Sequence, residues 1–333
     1  MEEATKILLR HIPRNLSYPY LEENQDLYSL TAKIFKYHLE DINNNLKQIP
    51  ENIVIPLLRK LSDYCDNDVR RATANALASF PTDEAFSLLE KLTTDPSEYV
   101  CEAVPHSLAS FPPETALPLL EKLSTDPDCV VREAVAHSLA SFPPETALPL
   151  LKKLSTDHHF YVRSAVARSL ASFPTETALP ILEKLSTDFS EYVREAAARS
   201  LASFPPEKAL PILQHLSNDS DPGVREVVAQ SLASFPPETA ISLVEKLSND
   251  SNWQVRRAVT WSLANYHPEI ALPLLEKLSA DPSNDVRSAA AQTLRSFPSE
   301  IALPLLEKLS NDSSNNVRRA TANALASFPT ETA

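Results

Sequence analysis

A chain of 333 residues with 44 acidic against 31 basic side chains carries a formal net charge of −13, which opposes non-specific attachment to nucleic acid or anionic membrane and leaves basic partners open. No apolar run approaches the ~20 residues of a membrane span, and the opening Met1-Glu2-Glu3-Ala4-Thr5-Lys6 lacks the basic region and long apolar stretch of a signal peptide. Cys65, Cys101 and Cys129 form no Cys-x-x-Cys pair and read as free thiols in a reducing compartment, the cytoplasm by default.

In chain order, residues 1–50 come first and fit no repeating pattern. Glu2 to His11 and roughly Asn24 to Asn44 have helical periodicity, separated by Pro13 and Pro19, and predict an N-terminal helical cap that shields the first repeat from water. From residue 51 onward an aromatic returns every 31 residues: Phe80, Phe111, Phe142, Phe173, Phe204, Phe235, Tyr266, Phe297 and Phe328. A constant period of this length predicts one supersecondary unit stacked on itself, about nine times, with residues 51–333 as one solenoid.

The unit from Pro112 to Phe142 shows how each copy folds. Pro113 suits a first helical position and Glu114 the positive helix start, after which Ala116, Leu117, Leu119, Leu120 and Leu123 follow helical spacing (helix A). Ser124-Thr125-Asp126-Pro127-Asp128 is a turn rich in capping residues. Helix B then carries Val131, Ala134, Val135, Ser138, Leu139 and Phe142 on one face, and the following proline ends it. Phe-Pro takes the place of a glycine stop, which accounts for a chain with one Gly. The last residues, Phe328-Pro-Thr-Glu-Thr-Ala333, read as the opening of a tenth repeat, predicting either a continuation or end-to-end association of the last hairpin with another molecule.

The unit resembles a HEAT repeat, in the short bacterial form found in the phycobilisome lyase HEAT-like family. Three elements carry the likeness: Pro118 inside helix A, Asp126 eight residues later, and Val131-Arg132 opening helix B. Pro56, Pro149, Pro180, Pro211, Pro273 and Pro304 repeat the first, while Ser87 and Ser242 depart from it. Asp95, Asp157, Asp188, Asp219, Asp250, Asp281 and Asp312 repeat the second, and Arg70, Arg163, Arg194, Arg225, Arg256, Arg287 and Arg318 the third. The resemblance implies an all-α, right-handed α-solenoid in which each arginine bonds turn acceptors in its own and the adjacent repeat. The second repeat is defective: Cys101 replaces its arginine, and Pro105 stands in mid helix B, where it should bend the helix.

Internal copies can be compared with one another. The outward residues of helix A hardly change, since Glu121-Lys122 recurs as Glu90-Lys91, Glu183-Lys184, Glu245-Lys246, Glu276-Lys277 and Glu307-Lys308. Those of helix B change at nearly every copy, at positions spaced i, i+3, i+7: Tyr99-Glu102-His106, Val130-Glu133-His137, Tyr161-Ser164-Arg168, Tyr192-Glu195-Arg199, Gly223-Glu226-Gln230 and Gln254-Arg257-Trp261. The expectation is that helix B lines a concave side and that this stripe is diversified to grip a protein or peptide, with Trp261 as an anchor or as a cover for a neighbouring helix.

Other chemistry finds little support. Glu102-x-x-x-His106 and Glu133-x-x-x-His137 could in principle hold a metal, as HEAT-type deoxyhypusine hydroxylases do, but the adjacent His-Glu dipeptides of those enzymes are absent. There is no Gly-rich phosphate loop and no Ser-His-Asp or Cys-His arrangement; His158-His159 reads as solvated loop. HEAT-like alkylpurine DNA glycosylases set a precedent for nucleic-acid enzymes, against which the acidic balance argues. The reading is a non-enzymatic scaffold without cofactor or metal. The alternatives are a bilin lyase-like, tetrapyrrole-handling factor and a regulatory segment of a larger protein.

Overall fold

The computed structural model describes residues 51–328. The cap predicted for residues 1–50 and the start of a tenth repeat at 329–333 lie outside the described residues. Among those described, eighteen α-helices and no strand form an all-α solenoid of nine helical hairpins. The chain divides after Ser169 into two compact units. The first holds α1 (Glu51–Leu61), α2 (Asn67–Leu77), α3 (Asp83–Leu92), α4 (Glu98–Leu108), α5 (Pro113–Leu123), α6 (Cys129–Ser138), α7 (Pro144–Leu154) and α8 (Phe160–Ser169). The second holds α9 (Thr175–Leu185), α10 (Glu191–Leu201), α11 (Pro206–Leu216), α12 (Pro222–Ser231), α13 (Pro237–Leu247), α14 (Trp253–Ser262), α15 (Pro268–Leu278), α16 (Asn284–Thr293), α17 (Ser299–Ser310) and α18 (Asn315–Leu325). Odd-numbered helices are the A helices and even-numbered ones the B helices. No helix among the described residues is long and apolar enough to cross a membrane.

Local chemistry sets the helix limits. Pro113 occupies the first turn of α5, where a missing N–H costs nothing, and Glu114 meets the positive end of the helix dipole. In the turn, the Asp126 carboxylate accepts the Asp128 N–H at 2.8 Å, and Asp128 in turn caps α6 through the Val130 N–H at 2.8 Å. Helix α6 tightens into a 3-10 turn at Leu139–Ser141, and Phe142 leaves it in extended geometry (φ −98°, ψ 157°), as a residue before proline prefers. The Phe142 ring is buried. Among the described residues none has a positive φ, so no turn of this kind calls for glycine.

Within each unit successive B helices lie side by side in close contact, whereas successive A helices barely touch. Small buried residues permit the approach: Ala134 and Ala136 in α6, Ala165 in α8, and Ala196 and Ala198 in α10. Hydroxyls stitch neighbouring B helices together, with Ser107 donating to the Ala74 carbonyl at 2.9 Å, Ser169 to Ala136 at 2.8 Å and Ser231 to Ala198 at 3.1 Å. Leucines from the A helices, among them Leu120 and Leu151, are fully buried behind them, each contributing about 2 kcal/mol.

Along the turns runs a ladder of ion pairs. Arg132 forks onto Asp157 of the next turn (Nε 2.7 Å, Nη2 2.9 Å) while its Nη1 donates to the Asp126 carbonyl of its own turn at 2.7 Å. Arg70 with Asp95, Arg194 with Asp219, Arg225 with Asp250, Arg256 with Asp281 and Arg287 with Asp312 repeat this geometry. Arg163 donates to the Asp157 carbonyl at 2.7 Å, and Arg318 to the Asp312 carbonyl at 2.6 Å and to the Asn315 side chain. Burial works against the ionised form of Asp281, yet the Arg256 fork and the Ser283 N–H prevail and hold its carboxyl below the usual carboxylate range. The same balance lowers Asp95, Asp157, Asp219 and Asp250.

The constant lysines of the A helices have a structural task. Lys153 donates to the Ser124 hydroxyl of the preceding turn at 2.9 Å, Lys246 to Ser217 and Asn218 at 2.7 and 2.6 Å, and Lys277 to Ser248 and Asn249 at 2.8 and 2.6 Å. The steadiness of this lysine on helix A thus reflects a tie between repeats, and it is a poor baseline for judging how fast an exposed position drifts.

Candidate functional site

The outward stripe of the B helices is built by helical spacing: residues i, i+3 and i+7 stand on the face opposite the buried alanines and valines, except Ser164, which the packing of neighbouring B helices buries. In the first unit the stripe brings Glu133, His137 and Arg168 together. Arg168 Nη2 donates to Glu133 Oε1 at 3.2 Å across from α8 to α6, and lies 3.5 Å from His137 Nε2. His137 itself stands 3.7 Å from Glu133, one helical turn along α6. His106 on α4 is exposed at its rim, but loss of solvation around the ring, with His137 close by, lowers its pKa against the pull of Glu102 and Glu133. Tyr99 and Tyr161 stay out of this cluster and expose about half of their surface (53% and 50%). The Tyr161 ring contacts those of Phe160 and His159, at 4.3 and 5.0 Å between centroids.

In the second unit Arg257 is the centre of the stripe. Its guanidinium lies 4.9 Å from the Trp253 ring and 4.8 Å from the Trp261 ring, one helical turn to either side on α14. It also reaches Glu226 Oε1 on α12 at 3.5 Å, while its buried Nε meets no hydrogen-bond partner among the described residues. Trp261 is 43% exposed, and its ring lies against Arg257 on its own helix. Tyr192 is exposed; Arg199 lies one turn beyond Glu195. Burial, with Asp221 near it, raises the Glu195 carboxyl despite Arg199. Gly223 leaves room for this placement of Glu195: a Cβ at that position would stand 2.6 Å from Glu195 Oε1 and the carboxylate would have to shift.

The Trp-x-x-x-Arg-x-x-x-Trp spacing was present in the sequence as a signal for the stack. Phe189, 83% exposed in the turn before α10, carried no periodic signal, because turn residues vary freely around the capping aspartate. Glu102, His106, Glu133 and His137 do not close on a metal position: among the described residues no three His, Cys, Asp or Glu side chains group as a metal-holding set.

Models of HEAT repeats match residues 54–140, 117–202, 183–264 and 242–326, from the first described hairpin to the last. The chain belongs to the HEAT repeat family. A search of curated proteins finds no match. Solved HEAT-like structures resemble it in fold. The Escherichia coli protein YibA is 16% identical over 83% of this chain and 97% of its own, with a TM-score of 0.52. Kap95p bound to RanGDP is 14% identical over 90% of this chain and 48% of its own, and Kap95 in complex with Nup1 is 14% identical over 97% and 51%, both with TM-scores of 0.57. This HEAT repeat chain spans about half the length of those Kap95 chains. At such identities the likeness is one of fold.

Proposed function

We propose that this HEAT repeat chain is a non-enzymatic scaffold that docks a protein or peptide partner along the B-helix face, the concave side of the stack. One observation carries the reading. Among the described residues five large apolar or aromatic side chains are exposed, and four of them, Tyr99, Tyr161, Tyr192 and Trp261, stand on the B-helix stripe. Aromatics beside arginines and carboxylates supply the anchors and polar rim of a docking surface. Close B–B and slack A–A packing supports the B side as the inner curve, and Kap95p, of similar fold, binds RanGDP and Nup1. Free thiols at Cys65, Cys101 and Cys129 support a reducing compartment, and we place the protein in the cytoplasm.

Affinity capture tests the reading with the wild-type chain, a triple variant Trp261→Ala, Arg199→Ala, Glu133→Ala, and an A-helix control, Glu121→Ala with Glu183→Ala. The B-face variant should lose the specific partner that the control retains, with equal helicity in all three. If the B-face variant retrieves the same partner as well as wild type, the docking reading is wrong. The other proposal is tetrapyrrole handling, which rests only on the resemblance of the repeat unit read from the sequence, and a change in bilin absorbance on mixing tests it.

A further inference from the structure

The arginine ladder has one gap. At positions 70, 132, 163, 194, 225, 256, 287 and 318 helix B opens with arginine, and at position 101 it opens with cysteine. Cys101 keeps the inner half of the arginine's task. Its thiol lies 3.3 Å from the Asp95 carbonyl, the same acceptor six residues back that each ladder arginine uses through Nη1. The outer half is missing. The Asp126 carboxylate accepts the Asp128 N–H at 2.8 Å, just as Asp157 accepts that of His159, but among the described residues the guanidinium that Asp157 receives from Arg132 has no counterpart at Asp126.

A cavity of about 610 Å³, open to solvent, occupies this place. Its wall contains what a ladder arginine touches elsewhere. Asp95 and Pro96 correspond to Asp126 and Pro127, whose carbonyls take Arg132 at 2.7 and 3.1 Å, and Asp126 corresponds to Asp157, on which Arg132 forks. No lysine or arginine belongs to the wall, while Asp95, Glu98, Asp126 and Asp128 do, of which Asp95 is matched by Arg70. The cleft at the preceding rung, of about 470 Å³, differs in having Arg70 and Lys91 in its wall. Tyr99, half exposed, borders the acidic cavity and belongs to the B-helix stripe.

We propose that this cavity receives an arginine side chain of a protein partner, which completes the broken rung from outside. The planar guanidinium forks onto Asp126 and turns its remaining N–H groups to the Asp95 and Pro96 carbonyls, with the Tyr99 ring beside it. A lysine ammonium cannot fork in this way. The inference rests on the docking reading only in assigning the arginine to a protein partner; the six intact rungs of the same molecule show what the cavity is shaped for.

The test needs no partner. The ¹⁵N-labelled full chain is titrated with the peptide Ac-Gly-Arg-Gly-amide and with its citrulline counterpart, a neutral near-isostere, while the amide resonances of Cys101, Asp128 and Val131 are followed. The arginine peptide should shift them, with the citrulline peptide roughly tenfold weaker or worse, as expected for loss of a charge-assisted pair. Asp126→Asn should weaken arginine binding by about the same factor. Cys101→Arg should raise the unfolding midpoint by restoring the rung and abolish peptide binding by filling the cavity. The proposal is overturned if citrulline binds equally well, if the Cys101→Arg protein binds the arginine peptide unchanged, or if the shifts fall elsewhere. The triple B-face variant should bind the peptide normally, so a failure here and a failure of partner capture are told apart.

Discussion

Tyr266 stands at the position where every other repeat carries phenylalanine, and its ring is just as buried, at 4% exposure. Its hydroxyl meets no hydrogen-bond partner among the described residues, and burial, with Glu238 near it, pushes the phenol up to about 12. A buried hydroxyl without a partner is a net cost, so Tyr266→Phe should stabilise the protein by about 1 kcal/mol, read from urea unfolding. The ladder gives the opposite case. Arg225 and Asp250 retain only 13% and 9% of their side-chain exposure, so Arg225→Ala strands a buried carboxylate and should cost about 3 kcal/mol. The double variant with Asp250→Ala should lose clearly less than the sum of the two single changes. That Asp and Arg recur at fixed offsets was legible in the sequence, and the resemblance implied bonds to the own and the adjacent repeat; that the carboxylate partner is the one 25 residues ahead was not legible, because helix stacking chooses it. The same holds for Lys246, whose bond to Ser217 depends on how two A helices stand side by side.

Helix α4 brings two departures into one element. It runs unbroken from Glu98 to Leu108 with Pro105 buried inside it, so that one backbone hydrogen bond to the carbonyl four residues back is absent. Replacing Pro105 with Ala should restore it and stabilise the second hairpin by on the order of 1–3 kcal/mol, seen as slower amide exchange in α4. The helices themselves were plain in the sequence, because the 3.6-residue period agrees with Pro-Glu starts and Phe-Pro stops in most copies, Tyr266-His267 being one exception. The 3-10 turn that closes α6, α8, α12, α14 and α16 was not, since Leu-Ala-Ser and its variants Leu-Ala-Asn and Leu-Arg-Ser have no composition that separates a tight last turn from an α-helical one. The Trp253–Arg257–Trp261 stack was legible as spacing only; that Arg257 rather than a neighbouring helix occupies the indole faces is a matter of rotamers.

At the scale of the whole molecule the ladder ties stability to acid. Asp95, Asp157, Asp219, Asp250, Asp281 and Asp312 all have carboxyls lowered in the folded state, so their contribution is full above the unfolded value of about 4 and is lost as pH falls through the lower folded values. Thermal midpoints should hold level from pH 7 to 5 as far as these groups decide it, then drop steeply below pH 4. Asp281→Asn should lower the plateau and flatten the drop. His106, also lowered, adds a loss of stability as pH falls through the ring's ordinary value of about 6.5, since protonation then favours the unfolded chain.

Among the described residues of each unit, three kinds of tie join a repeat to its immediate neighbour: arginine to the aspartate 25 residues ahead, lysine to the serine 29 back, serine to the carbonyl 33 back. Length is therefore adjustable in whole copies. Excising residues 206–236 would present Asp250 to Arg194 and Ser186 to Lys246 with each bond type unchanged. Excising residues 82–112 has a different result: Arg70 would meet Asp126, the ladder would close, and the acidic cavity would vanish. A chain built from interchangeable copies can shed any of them by simple recombination, and here the loss of one faulty copy is a repair that also erases a recognition feature.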